Sequence, residues 1–140
     1  MSLRIEKKHP SLEDYIIDVT KMEVEIKLKQ FVIIPKKPKM SKGKIASQAC
    51  HATFMALEKQ TDKFLINDWK NSGMCVIVLK CKDRVQLLGI ALYFAEWKIP
   101  HHLYIDEGFT EVSMGTPTAL ATGVLTEDQF WMLSKLKMYK

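Results

Sequence analysis

The sequence has little from which to build a disulfide or metal site. Cys50, Cys75 and Cys81 make an odd count with no C-x-x-C pair. Two of them lie inside apolar runs, so they read as reduced, buried packing residues of a cytosolic protein. His9, His51, His101 and His102 share no metal-ligand spacing with them, and neither a metal nor a cofactor is expected. No run approaches the ~18 apolar residues of a membrane span, and the first residues hold no apolar core of the kind a signal peptide requires. The expectation is a cytoplasmic protein that makes no membrane contact. No Ser-His-Asp or Cys-His arrangement is evident, which disfavours a covalent intermediate. Internal repeats and low-complexity segments are also lacking.

What is there is a chain of 140 residues, 47% of them hydrophobic, enough for one domain with its own core. Lys and Arg number 21 against 16 Asp and Glu, a net charge of +5. The excess is concentrated: Lys36, Lys37, Lys39, Lys42 and Lys44 put five lysines into nine residues. Such a cluster suits phosphate, and nucleic acid or another polyanion is the natural partner.

The lysines lead into KMSKGKIASQACHATFMAL, Lys39 to Leu57. Ser41 and Gly43 are helix-start residues, and from Lys44 the pattern repeats at helical spacing. Ile45, Ala49, Ala52 and Ala56 form one apolar stripe. Lys44, Gln48 and His51 fall one residue earlier at the same steps and form a polar ridge beside it. A solvated face explains such a ridge equally well. The helix start, however, also offers free backbone N–H groups and the positive end of the macrodipole to an anion.

Elsewhere, Pro10-Ser11 opens a short docking helix through Leu12, Ile16 and Val19. Glu23 to Lys29 alternates, then Phe31 to Ile34 runs on apolar, giving a strand that stops at Pro35. A short helix spans Phe64 to Asn71 and closes at Gly73. The β-branched centre of Met74 to Cys81 predicts a central strand. Asp83 caps a helix to about Trp97, and Pro100 breaks it. Strands follow at His102 to Ile105 and Thr118 to Val124, with a tight turn through Gly108 and Gly115 between them. Thr126 and Gln129 form a capping box for a last helix ending near Met138. Trp69, Trp97 and Trp131 sit in helices as core anchors. The order predicts an α/β domain with helices on both faces of a sheet. Sites in such sheets lie beyond the carboxyl ends of parallel strands, so the lysine run and Asp106 share a crevice if the first and third strands are parallel.

Two strings, KMSKGKIASQACHA from Lys39 and DEGFTEVSMGTPT from Asp106, stand in this order about 55 residues apart. Together with the strands between them they resemble the type 2 peptidyl-tRNA hydrolase family of archaea and eukaryotes. The likeness covers about Lys29 to Tyr139, which divides the chain into an N-terminal extension, residues 1–28, and a domain, residues 29–140. It implies a three-layer α/β/α fold with a mixed, mostly parallel four-stranded sheet. It also implies hydrolysis of the ester joining a peptide to the 3′ ribose of tRNA without a metal, and homodimers. By matching position, the implied catalytic residues are Lys44, Gln48, His51, Asp106, Thr110 and Thr118, with Thr116 binding substrate. Where the family usually has Arg-x-Asp-Leu this chain has Pro35-Lys36-Lys37-Pro38, and Phe109 replaces the arginine of D-x-G-R-T.

Ester hydrolysis needs an activated water, a donor for the oxyanion and a proton for the leaving oxygen. On this reading Asp106 positions or deprotonates the water, Lys44 and Thr118 stabilise the developing charge, and Gln48, His51 and Thr110 hold the network. Lys36, Lys37, Lys39 and Lys42 contact tRNA phosphates. Plainer roles fit the same residues: a strand-end turn for Asp106, ordinary β and turn positions for the threonines, packing for His51. The competing function is a relative that binds RNA or protein without turnover.

Overall fold

The computed structural model describes residues 27–108 and 112–140. The expected helix at Pro10 to Val19, the strand residues before Lys27, and Phe109 and Thr110 lie outside the described residues.

The central strand is β1, Leu28–Pro35. The first helix, α1, covers Lys42–Lys59, and α2 covers Lys63–Asn71. Next come β2, Val76–Cys81, and α3, Arg84–Glu96. They are followed by β3, His101–Ile105, and β4, Pro117–Thr126. A single turn, α4, Glu127–Phe130, runs into a 3-10 turn, Trp131–Lys135, and then β5, Lys137–Met138.

The sheet is mixed, in the order β3-β4-β1-β2-β5. It has five strands rather than the expected four. It is also not mostly parallel by pairing: β1–β2 is parallel, while β1–β4, β3–β4 and β2–β5 are antiparallel. Because both flank β4 antiparallel to it, β1 and β3 run the same way, which brings their carboxyl ends to one edge of the sheet.

Packing follows the pleat. Alternate residues of β1 join two different clusters, Phe31 and Ile33 with Leu87 and Phe94 of α3, Val32 and Ile34 with Ala52 and Ala56 of α1. Each fully buried Ile or Leu contributes about 1.5–3 kcal/mol. β4 is buried along nearly its whole length, which explains its small and apolar residues. The polar groups it buries are answered. The Phe31 N–H donates to the Thr122 hydroxyl (3.0 Å) where the β1–β4 register slips. Gln60, just past α1, accepts from the Val124 N–H (2.7 Å) and donates to its carbonyl (2.9 Å). A Cβ on Gly123 would lie 2.5 Å from that glutamine oxygen, so only glycine leaves room for the clamp.

Four expectations need correction. The Thr126–Gln129 capping box is present, but the helix behind it ends at Phe130, and the chain passes through the 3-10 turn to the two-residue β5. β2 is not the centre of the sheet; it is covered on its outer side only by β5. Trp69 is 1% exposed and anchors α2, whereas Trp97 and Trp131 are 64% and 65% exposed and anchor nothing. Cys50 is exposed, while Cys81 is buried; burial, then the charge of Asp83, pushes the Cys81 thiol up to about 11, so it stays protonated and inert.

Candidate active site

Ser41 caps α1: its hydroxyl accepts the Lys44 N–H at 3.2 Å. That cap fixes the first turn and aims Lys44 inward. The buried face of α1 carries Lys44, Gln48, Ala52 and Ala56, each four residues apart. The expected polar ridge is therefore not beside the buried stripe; Lys44 and Gln48 are part of it. Ile45 and Ala49 flank it half-buried, and His51 is exposed.

Asp106 meets this face from the other side, directly after β3. Its backbone is pinned by its own N–H to Thr116 O (2.9 Å) and by the Gly115 N–H to its carbonyl (2.9 Å). The Lys44 ammonium donates to Asp106 Oδ1 at 2.6 Å, and the Gly108 N–H donates to Oδ2 at 2.7 Å. Both charged side chains are 7% exposed. The Lys44 hydrogen bond pulls the Asp106 carboxyl below its ordinary range. Burial opposes that pull, and the Gly108 N–H and the charges of Lys44 and His51 assist it. The aspartate is ionised at neutral pH.

One turn along α1, Gln48 accepts a hydrogen bond from the Thr118 hydroxyl at the start of β4, and both residues are buried. Thr116, in the strand-entry loop, is buried too. At the rim, the exposed His51 ring stacks on Tyr104 of β3, with centroids 4.7 Å apart and planes 18° from parallel. Lys36, Lys37 and Lys39 lie on the loop from β1 into α1 and Lys42 is the first residue of α1; all four are exposed, whereas Lys44 is buried.

Lys44, Gln48, Asp106 and Thr118 are thus brought together, with His51 beside them and Thr116 two residues before Thr118. Two further contributors stand outside the expected set of site residues: a glycine expected only for the turn, and a strand tyrosine. Gly108 supplies an N–H through a left-handed backbone (φ +83°), which its place two residues after an aspartate could have suggested. Tyr104 supplies a stacking surface, and nothing in a strand pattern marks one tyrosine for that. Among the described residues, no group of three His, Cys, Asp or Glu side chains is gathered as a metal site requires.

The molecule is an α/β domain with a buried ammonium–carboxylate pair at the carboxyl edge of its sheet, the place where such sheets bind ligands, beside a basic loop. The family model described as Peptidyl-tRNA hydrolase PTH2 matches residues 28–139. A probable peptidyl-tRNA hydrolase 2 of Dictyostelium discoideum is 32% identical over 114 residues, 79% of this chain and 54% of that protein. The chain thus spans about half the length of that relative. Peptidyl-tRNA hydrolases of Methanopyrus kandleri and Methanothermobacter thermautotrophicus are 33% and 35% identical, over 72% and 69% of this chain and 88% and 85% of theirs. The chain belongs to the type 2 peptidyl-tRNA hydrolase family.

Proposed function

We propose that the protein hydrolyses the ester between a peptide and the 3′ ribose of tRNA, releasing free tRNA. The observation that carries this is the buried Lys44–Asp106 pair inside a family of that name. Water adds to the ester carbonyl and the carbonyl electrons move to oxygen. As the carbonyl re-forms, the acyl C–O3′ bond breaks, O3′ takes one proton of the attacking water, and the other leaves to solvent as the peptide carboxyl ionises. The products are a peptide carboxylate and the free 3′ hydroxyl.

Asp106, held ionised, is too weak a base to take a full proton early, so its role is to orient the attacking water. Lys44 donates to the oxyanion; one such donor is worth about 3–4 kcal/mol, or ~10²- to 10³-fold. Thr118 already donates to Gln48, so these two hold the turn that carries Lys44 rather than touching substrate. His51 and Tyr104 form the rim, where a base of the RNA terminus can stack. Thr110 is proposed as a further member of the network and Thr116 as a substrate contact. Lys36, Lys37, Lys39 and Lys42 hold tRNA phosphates.

The same reading makes the protein cytoplasmic and homodimeric. Val85 and Leu92, seven residues apart on one face of α3 and both exposed, supply an apolar surface suited to pairing two copies. No helix among the described residues is long and apolar enough to cross a membrane. The two clusters on alternate sides of β1 support a three-layer arrangement. The test is incubation with an N-acetylaminoacyl-tRNA: release of uncharged tRNA supports the hydrolase, and tight binding without release supports the binding module instead.

A further inference from the structure

At the carboxyl ends of β1 and β2 lies an open pocket of about 450 Å³ lined by Lys36, Lys37, Lys80, Lys82, Lys135 and Lys137. No carboxylate lines it. Among the described residues none of these six ammonium groups is in an ion pair. Three separate segments supply them, and backbone pairing holds the segments in place. Lys80 faces Lys137 across the β2–β5 ladder, and the Lys36 N–H donates to Cys81 O at 2.9 Å. Like charges placed opposite one another on a ladder disfavour folding, and an anion between them relieves the repulsion.

Only Lys36 and Lys37 of this group belong to the lysine run visible in the sequence; the others are gathered by the fold. The pocket shares its sheet edge with Lys44 and Asp106. With strands about 4.8 Å apart, it sits two to four strand spacings from Asp106, roughly 10–20 Å.

We propose that this pocket binds backbone phosphates of the RNA strand leading to the ester-bearing nucleotide, a reading that rests on the function proposed above. A stacked strand rises about 3.4 Å per nucleotide, so the pocket meets phosphates about three to six nucleotides before the 3′ end. A recess fits a strand; a lipid surface is met by a flat or convex patch.

The test uses Lys80→Gln/Lys82→Gln/Lys135→Gln/Lys137→Gln, with Lys82→Gln/Lys135→Gln as a milder version should the first melt early. Three quantities are compared with the wild type: KM for an N-acetylaminoacyl-tRNA, turnover of an N-acetylaminoacyl ester of adenosine, and the salt dependence of binding to uncharged tRNA. The proposal expects KM to rise at least tenfold and the log–log salt slope to fall by about 0.7 for each phosphate no longer neutralised, with turnover of the adenosine ester unchanged. An unchanged KM and slope would overturn it, as would an equal loss on the adenosine ester. Wild-type binding to anionic phosphatidylserine vesicles, with no change in the tRNA slope, would assign the pocket to lipid and overturn it likewise. Should the wild type cleave neither substrate, the hydrolase reading fails, and the slope with uncharged tRNA still decides the pocket.

Discussion

The Lys44 ammonium and the Asp106 carboxylate lie 2.6 Å apart although 62 residues separate them in the chain, and each side chain is 7% exposed. Removing either one strands the other in a dry setting. Breaking a buried pair typically costs about 3–5 kcal/mol, while replacing both partners by apolar groups is far milder. Urea unfolding should therefore show Lys44→Met well below the wild type and Lys44→Met/Asp106→Leu clearly above the single variant. Additive losses in the double variant would mean that the pair is not coupled.

The lowered Asp106 carboxyl also sets an acid dependence. It holds its proton less tightly in the folded state than its ordinary value of 3.8. Between the two values the unfolded chain binds more protons, so stability rises with pH there. Its contribution is complete above about pH 4 and is lost as pH falls through the folded value. As pH falls below about 4 the wild type should lose stability more steeply than Asp106→Asn; parallel curves would remove the stabilising role.

The loop after Asp106 depends on one glycine. Gly108 has φ +83°, and a Cβ there would lie 2.7 Å from the Met114 backbone. Gly115 has the same φ with nothing within 4 Å. Gly108→Ala should lose tenfold or more in activity and about 1–3 kcal/mol in stability, and Gly115→Ala should lose less of both. Thermal melts and single-turnover rates check this, and equal effects at the two glycines would contradict it.

For the basic loop, replacing Lys36, Lys37 and Lys39 together by Ala should flatten the salt dependence of tRNA binding. Each phosphate left without its lysine should remove roughly 0.7–0.9 from the log–log slope. A filter-binding series at rising salt reads it; a slope equal to that of the wild type would leave these lysines merely solvated.

Much of the scaffold is legible in the sequence because local chemistry agrees with the tertiary outcome. Ser41 and Asp83 cap the helices they precede, and β1 and β4 read as strands from their apolar runs. The juxtaposition of Lys44 with Asp106 follows from strand direction. Less visible is anything decided by long-range pairing. β5 is two residues long, too short to carry a period, and exists because β2 offers it an edge. Lys44 and Gln48 read as a polar ridge outside the buried stripe, yet Asp106 and Thr118 supply partners that make burial tolerable. Trp97 and Trp131 read as core anchors from their place in expected helices, and the packing leaves them outside.

The most direct measurement is single-turnover cleavage of an N-acetylaminoacyl-tRNA by the wild type, Lys44→Ala and Asp106→Asn, with folding verified by circular dichroism. The expected result is release of tRNA by the wild type, with rates lowered ~10²- to 10³-fold in both variants. Folded variants that cleave within a few-fold of the wild type would show that the buried pair holds the protein together without taking part in the reaction.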